Sequence, residues 1–250
     1  MNEVLNADSV PLKDLIKNPR TFMRSNNHPL EHAKDLDRLL GFRIPKIEGK
    51  LLQKYKAYYK QNDGIKGKQH FQGTQTWIGL HPQVLQTPYN DIFDALYLLK
   101  DFEVDKIVDV GAGYGRVGIV MNSVFPESRF IGYEILKQRE SEGNRLFEKL
   151  DLINCEIILE DVLDDDFILP KAQIYFIYDF SEIEDISKIL DELVSRIGDY
   201  SFFLVTRGDR IDFLLERKYK QFWKANGVLS SGELKIYSSN VDLKKLKHKE

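Results

Sequence analysis

Short apolar runs alternate with segments of helical period through the second half of the chain. Five of these runs read as strands, at residues 107–110, 128–133, 155–159, 172–178 and 201–206. Segments with apolar residues at three- and four-residue steps separate them, at residues 116–125, 136–150 and 182–196. Strands that alternate with helices indicate parallel β-α units. The pattern therefore predicts an α/β fold built on a doubly wound, mostly parallel sheet.

The two ends of the chain have different patterns. Residues 220–225 and 233–239 predict a terminal antiparallel hairpin around Ser230-Ser231-Gly232, which brings the predicted sheet to seven strands. Helical period at residues 30–40 and 47–60 predicts a helical N-terminal extension. We therefore divide the chain into an extension at 1–80, a main domain at 81–240 and a charged tail at 241–250.

Composition narrows the class of protein. The chain has 250 residues, 42% hydrophobic and 30% charged, which is ordinary for a globular protein. A single cysteine, Cys155, excludes an internal disulfide framework and a cysteine-cluster metal site. The three acids at 164–166 have no nearby histidine and predict a solvated turn, so we expect no metal. No apolar run is long enough to cross a bilayer, and the first residues do not resemble a signal peptide, so a cytoplasmic protein is expected.

Charge is distributed unevenly. Residues 1–80 carry 14 Lys and Arg against 8 Asp and Glu, whereas residues 81–240 carry 18 against 29. A basic extension on an acidic body can steer a nucleic acid or another acidic partner, or it can simply be a solvated helix surface. We expect the extension to take part in substrate recognition and not in ligand binding by the main domain, with a lid over that ligand as the alternative. A nucleic-acid partner stays open.

A glycine-rich loop follows the first predicted strand of the main domain. Gly111, Gly113 and Gly115 allow positive φ and let a ligand approach bare N–H groups at the start of a helix. Glu134 stands at the end of the next strand, 21 residues after Gly113. A carboxylate in that place can accept hydrogen bonds from both ribose hydroxyls, so the sequence predicts an adenosine-containing ligand.

Asp109, two residues before the loop, distinguishes between two classes of ligand. Residues 113–118 fit the dinucleotide pattern G-x-G-x-x-G, but an acid at the strand end would repel a pyrophosphate. S-adenosylmethionine (SAM) has no phosphate, and its ammonium and sulfonium groups favour a nearby carboxylate. The stretch Asp109-Val-Gly111-Ala-Gly113-Tyr-Gly115 resembles motif I of the class I SAM-dependent methyltransferases. The alternative is that Asp109 only caps the turn.

That resemblance covers residues 85–240 and implies a set of cofactor contacts. Glu134 would hold the ribose, and Asp161 with the N–H of Val162 would hold the adenine. The methionyl end would lie on the glycine loop. The full set of implied or predicted SAM-binding residues is Thr87, Asp109, Gly111, Ala112, Gly113, Gly115, Glu134, Glu160, Asp161 and Val162.

The methyl acceptor is predicted from the segment after the fourth strand. Tyr178-Asp179-Phe180-Ser181 lacks the prolines of the amino-methylating nucleic-acid enzymes, and with Thr87-Pro88 it loosely resembles the lysine methyltransferases without a SET domain. We therefore expect a protein lysine as acceptor. Tyr178 and Tyr89 would form an aromatic passage, and Asp179 would position the amine or accept its proton.

Several alternatives stay open at this stage. The chain could methylate a small molecule or RNA, or it could bind SAM without catalysis. Trp77 and His81, in an irregular stretch at residues 69–85, are further candidates for covering the cofactor. The sequence does not indicate the oligomeric state.

Overall fold

The computed structural model describes residues 11–24, 27–61, 69–71, 74–76, 78, 81 and 85–248. A two-stranded antiparallel pair comes first in the chain, with β1 at Gln69–Phe71 and β2 at Thr74–Thr76. The main sheet has seven strands: β3 at Lys106–Val110, β4 at Arg129–Glu134, β5 at Cys155–Leu159, β6 at Ile174–Tyr178, β7 at Phe203–Arg207, β8 at Leu229–Ser231 and β9 at Leu234–Ser238.

The strand order in the main sheet is β5-β4-β3-β6-β7-β9-β8. Strands β3 to β7 are parallel, β9 is antiparallel to β7, and β8 is antiparallel to β9. The chain leaves β3 toward one edge and returns to β6 on its other side. A crevice opens at the carboxyl ends of the strands at such a switch point. The predicted seven-stranded, doubly wound α/β fold is confirmed.

Helices cover both faces of the sheet. On one face lie α4 at Tyr89–Leu98, α5 at Arg116–Val124 and α6 at Lys137–Lys149, which pack with Ile107, Phe130 and Phe176. On the other face lie α7 at Ile183–Ser195 and α8 at Asp209–Arg217, which pack with Val108 and Val110. Side chains alternate across a strand, so Asp109 shares the face of Ile107.

The extension is helical, as predicted, with α1 at Leu12–Lys17, α2 at Pro29–Leu40 and α3 at Ile44–Gln61. Ile16, Phe22, Leu36 and Leu40 are fully buried, and they belong to the same apolar core as α4 and α5. The first two helices of the extension are therefore built into the core of the main domain.

The second strand of the terminal hairpin lies where it was predicted, whereas the first strand does not lie at residues 220–225. Its strands are β8 and β9, joined at Gly232 and Glu233, and Gly232 has φ of 59°. Residues Lys220–Phe222 form a short 3-10 helix instead of a strand. Phe222 is buried there, and Trp223 Nε1 donates to the Leu215 carbonyl at 2.8 Å, which fixes this segment against α8. Within the part of the chain that the structure describes, no helix is long and apolar enough to span a membrane.

Candidate functional site

A cleft lies at the carboxyl ends of β3, β4, β5 and β6, and it has two connected chambers. The first chamber is lined by the ends of β4 and β5, including Glu134 and Asp161. The second lies between β3, β6 and the start of α5, and Asp109 lines it. Gly111 and Gly113 border both chambers, so the glycine loop is the ridge between them.

The glycine loop has the shape that the sequence predicts. Gly111 and Gly113 have φ of 79° and 57°, in the left-handed region that favours glycine. The N–H groups of Gly111 and Ala112 donate to the Tyr133 carbonyl at 3.0 and 2.8 Å, which holds the loop against β4. A Cβ added at Gly113 would meet no atom within 4 Å. The tip of the loop therefore faces open space in the cleft.

Glu134 is buried at the end of β4, and the main chain orients its carboxylate. One oxygen accepts from the Gly113 N–H at 3.0 Å and the other from the Leu136 N–H at 2.9 Å. Burial raises the pKa of this carboxyl, and the charge of Arg139 opposes that shift. A carboxylate has about four acceptor positions, so Glu134 can accept two further hydrogen bonds from a ligand in the first chamber.

Asp109 is buried at the end of β3 and lines the second chamber. Its carboxylate has no side-chain hydrogen bond to any residue that the structure describes. Burial, followed by the negative charge of Glu134, raises the pKa of Asp109 to about 8. A cation in the chamber would favour the ionised form and an anion would oppose it. The chamber therefore suits a positively charged ligand group.

The residues predicted to hold an adenine lie beside Glu134. Glu160, Asp161 and Val162 all line the first chamber. The Glu160 N–H donates to the Glu134 carbonyl at 3.1 Å, and Asp161 Oδ1 accepts from the Leu163 N–H at 3.0 Å. The tertiary structure thus brings the ends of β4 and β5 into one pocket.

Thr87, Ala112 and Arg116 also line the second chamber. Arg116 is the cation nearest to the glycine loop in sequence, and it is engaged: Nη1 donates to the Thr87 carbonyl at 3.0 Å, and Nη2 pairs with Asp37 of α2. Its charge is thus balanced by the buried Asp37, whereas Asp109 has no ion pair with any residue that the structure describes.

Tyr178 ends β6 at the junction of both chambers with a third. The third chamber is an outer pocket lined also by Asp179, Arg207, Asp209, Asp212 and Glu233. The Arg207 guanidinium lies over the Tyr178 ring, 4.9 Å from its centre. Burial raises the pKa of Tyr178, so its hydroxyl stays neutral near pH 7. Tyr178 therefore lies in the cleft, and its role in methyl transfer stays a prediction.

Asp179 lines the outer pocket, the main chain of α8 orients its carboxylate, and its role in positioning the amine or accepting its proton stays a prediction. Its two carboxylate oxygens accept from the N–H groups of Arg210 and Ile211, at 3.0 and 2.9 Å. These are donors of the first turn of α8, which has no other side-chain cap. A Cβ at Gly208 would collide with the same carboxylate at 2.3 Å. Asp179 therefore caps α8 at the wall of the outer pocket.

Tyr89 lies outside the cleft, contrary to the expectation that it forms the passage with Tyr178. Its side chain is fully buried at the start of α4, and its hydroxyl donates to Asp37 at 2.9 Å. Phe22 stacks on the ring, with centroids 5.8 Å apart. The extension covers this tyrosine, which makes it a core residue.

Gly115 also lies outside the cleft, contrary to the prediction that it binds the cofactor. Its φ is 78°, and a Cβ there would meet Phe147 at 2.6 Å and Ile157 at 2.9 Å. The glycine therefore allows α5 to pack closely against α6 and β5, and it does not line the cleft. His81 is exposed and borders neither chamber, and Trp77 falls outside the described residues.

Besides Arg116, three charged residues at the cleft were not predicted from sequence. Arg139 lines the first chamber, Arg207 lines the second, and Glu48 of α3 reaches Arg139. Arg207 ends β7, and the end of a parallel strand is itself a signal for such a site. Glu48 lies in a lysine-rich helix far away in sequence, and no local pattern marks it.

Comparisons with known proteins find likeness at the level of structure. No protein-family model and no curated protein matches the chain. An RNA methyltransferase from Salinibacter ruber, solved with S-adenosylhomocysteine, is 16% identical, with a TM-score of 0.46 over 61% of this chain and 91% of that one. A SAM-dependent methyltransferase from Aquifex aeolicus is 16% identical, with a TM-score of 0.43 over 59% and 89%.

A third structure, the mitomycin 7-O-methyltransferase, is 18% identical, with a TM-score of 0.44 over 60% of this chain. All three structures are methyltransferases. The chain spans 54% of the length of the mitomycin enzyme and most of the length of the other two.

Proposed function

We propose that this chain is a SAM-dependent methyltransferase. The observation that carries the proposal is Asp109, a buried carboxylate without a partner among the described residues, in the chamber beside the glycine loop. Glu134, on the other side of the loop, has acceptor positions for a ribose. A ligand with a ribose at one end and a cation at the other fits this pair of acids, whereas a pyrophosphate would face Asp109.

Residues of the two chambers would bind different parts of the cofactor. Asp161 and Val162 would hold the adenine, Glu134 the ribose, and Asp109 the ammonium of the methionyl end. Gly111 and Gly113 would leave room for the chain between ribose and sulfur. Bound SAM supplies a methyl group on a sulfonium, which reacts by in-line displacement. The protein has to align the acceptor with that group and exclude water.

The outer pocket supports an amine as acceptor. Its wall carries the carboxylates of Asp209, Asp212 and Glu233. Arg207 pairs with Glu233, with Nε to Oε2 at 2.8 Å, and Lys235 pairs with Asp212 at 2.9 Å. Counting Asp209 and the capping Asp179, the acids exceed the cations and would attract an ammonium group. We propose a protein lysine as the acceptor, since its long side chain can reach Tyr178 from outside.

Tyr178, where the outer pocket meets the two inner chambers, would prepare the amine for reaction. A lysine ammonium enters as a cation, but only the neutral amine is a nucleophile. Desolvation against the Tyr178 ring disfavours the charged form, and the proton can leave to water or to the carboxylates of Asp209 and Glu233 at the entrance. The neutral Tyr178 hydroxyl would orient the amine toward the inner chambers.

RNA is a second candidate acceptor, favoured by one observation. Lys46, Lys50 and Lys54 are exposed at four-residue steps along α3, so they share one helix face. A basic face of this kind can contact a phosphate backbone. Incubation with SAM labelled in the methyl group and a cell lysate would distinguish the candidates, because label would enter either protein or RNA.

We expect S-adenosylhomocysteine to bind more tightly than NAD(H), because Asp109 opposes a pyrophosphate and accepts an ammonium. Isothermal titration calorimetry with both ligands measures the difference directly. Tighter binding of NAD(H), or binding of neither ligand, would overturn the proposed function.

Tyr178→Phe should lower the rate of methyl transfer about tenfold or more while S-adenosylhomocysteine affinity stays within about threefold. The ring is kept, so the chamber walls persist, and only the hydroxyl that orients the amine is lost. Mass spectrometry of treated proteins, read as 14-dalton additions on lysine, measures the rate. Tyr97→Phe, on the exposed side of α4, is the matched control. Equal rates in the two variants would show that the Tyr178 hydroxyl has no role in catalysis.

A further inference from the structure

A buried acid from the extension reaches the wall of the first chamber. Glu48 of α3 is 5% exposed, and its carboxylate binds Arg139 through two hydrogen bonds, from Nε at 2.9 Å and from Nη2 at 3.2 Å. The Tyr114 hydroxyl, from within the glycine loop, donates to the same carboxylate at 2.7 Å. One side chain of the extension thus contacts both the loop and the chamber wall.

Arg139 interacts with the charges of two buried acids, Glu48 and Glu134. It lies in the first turn of α6, five residues after Glu134, and it lines the first chamber together with Glu134. Among the charges around Glu134, that of Arg139 has the largest effect on its pKa. The hydrogen bonds of Arg139 to Glu48 therefore decide how the guanidinium is shared between the two carboxylates.

This sharing matters because Glu134 needs its remaining acceptor positions for a ligand. In a buried site the attraction between unlike charges is strong, so a guanidinium released by Glu48 would move toward Glu134. It would then occupy the lone pairs that ribose hydroxyls would use. A paired Glu48 keeps Arg139 close enough to favour the ionised form of Glu134 and leaves the carboxylate open to the chamber.

We propose that Glu48 is a positioning residue for cofactor binding, which acts by holding Arg139 away from the ribose-binding positions of Glu134. This inference rests on the proposed function. It gives α3 a place in the cofactor pocket, in addition to any role in substrate recognition. The second buried pair between extension and cleft, Asp37 with Arg116, ties α2 to the residue that follows the glycine loop.

A double-mutant cycle on S-adenosylhomocysteine affinity tests the inference. Glu48→Gln should weaken binding about tenfold in the otherwise native protein, because Arg139 then pairs with Glu134. In an Arg139→Gln background, Glu48→Gln should change the affinity by less than about twofold. An equal loss in both backgrounds, or no loss in either, would show that Glu48 does not act through Arg139 and would overturn the inference.

Two further variants keep the test decisive. Glu192→Gln removes an ion pair between Glu192 of α7 and Arg196, neither of which lines an inner chamber. It should leave the affinity unchanged whatever its effect on stability. If Glu48→Gln does not fold, Glu48→Asp keeps the charge on a shorter side chain. Its affinity for S-adenosylhomocysteine should fall about threefold in the native background and stay unchanged in the Arg139→Gln background. A native protein that does not bind S-adenosylhomocysteine would overturn the proposed function itself, whereas native binding with a Glu48 effect independent of Arg139 overturns only this inference.

Discussion

Glu134→Ala should weaken S-adenosylhomocysteine binding by about 10- to 150-fold. A hydrogen bond to a charged group contributes about 1.5–3 kcal/mol, and each 1.4 kcal/mol corresponds to a factor of ten in affinity. The same substitution leaves the N–H groups of Gly113 and Leu136 without their acceptor, so the melting temperature should also fall by several degrees. Calorimetry and thermal unfolding of the one variant measure both effects.

Glu134→Gln separates the two consequences of that change. The amide oxygen can still accept one main-chain hydrogen bond, whereas the amide nitrogen cannot accept from a ribose. We expect Glu134→Gln to lose less stability than Glu134→Ala, but to lose most of the affinity that Glu134→Ala loses. An affinity unchanged in both variants would place the ribose elsewhere.

Asp109→Asn should lower SAM affinity at pH 8 by about tenfold or more and remove most of its dependence on pH below 8. The pKa of Asp109 is about 8 because the carboxyl is buried next to Glu134, so much of it is protonated at pH 7. Binding of an ammonium favours the carboxylate, so native binding releases a proton and strengthens as the pH rises from 6 to 8. Titrations at several pH values in two buffers of different ionisation enthalpy would measure the proton release.

The same substitution should stabilise the ligand-free protein at alkaline pH. The pKa of Asp109 in the folded state is above its ordinary value of 3.8, so the folded protein holds this proton more tightly than the unfolded chain. The contribution of this bound proton to the free energy of unfolding is fully present below pH 4 and is lost as the pH rises through about 8. Asparagine cannot ionise, so the melting temperature at pH 8 should rise by about 2–6 °C. A lower melting temperature at pH 8 would contradict a raised pKa.

The order of elements and the glycine loop were predictable because their signals are local. The apolar run before Gly111 makes a strand, three glycines allow the turn, and the acid at 134 follows the next strand at a fixed distance along the chain. Parallel strands place their carboxyl ends along one edge of the sheet, so Asp109, Glu134, Asp161 and Val162 were expected to meet there. The structure places all four in one cleft.

The sequence by itself determined the five parallel strands and the acids that follow them, because these depend on the pattern of apolar side chains along a few residues. Only the tertiary structure decided which aromatic and charged residues face the cleft. Tyr89 is covered by Phe22 and donates a hydrogen bond to Asp37, and the Asp179 carboxylate accepts hydrogen bonds from N–H groups of α8. Glu48 meets Arg139 across 91 residues of chain. Contacts between residues so far apart depend on how whole helices pack, and no short stretch of sequence records that packing.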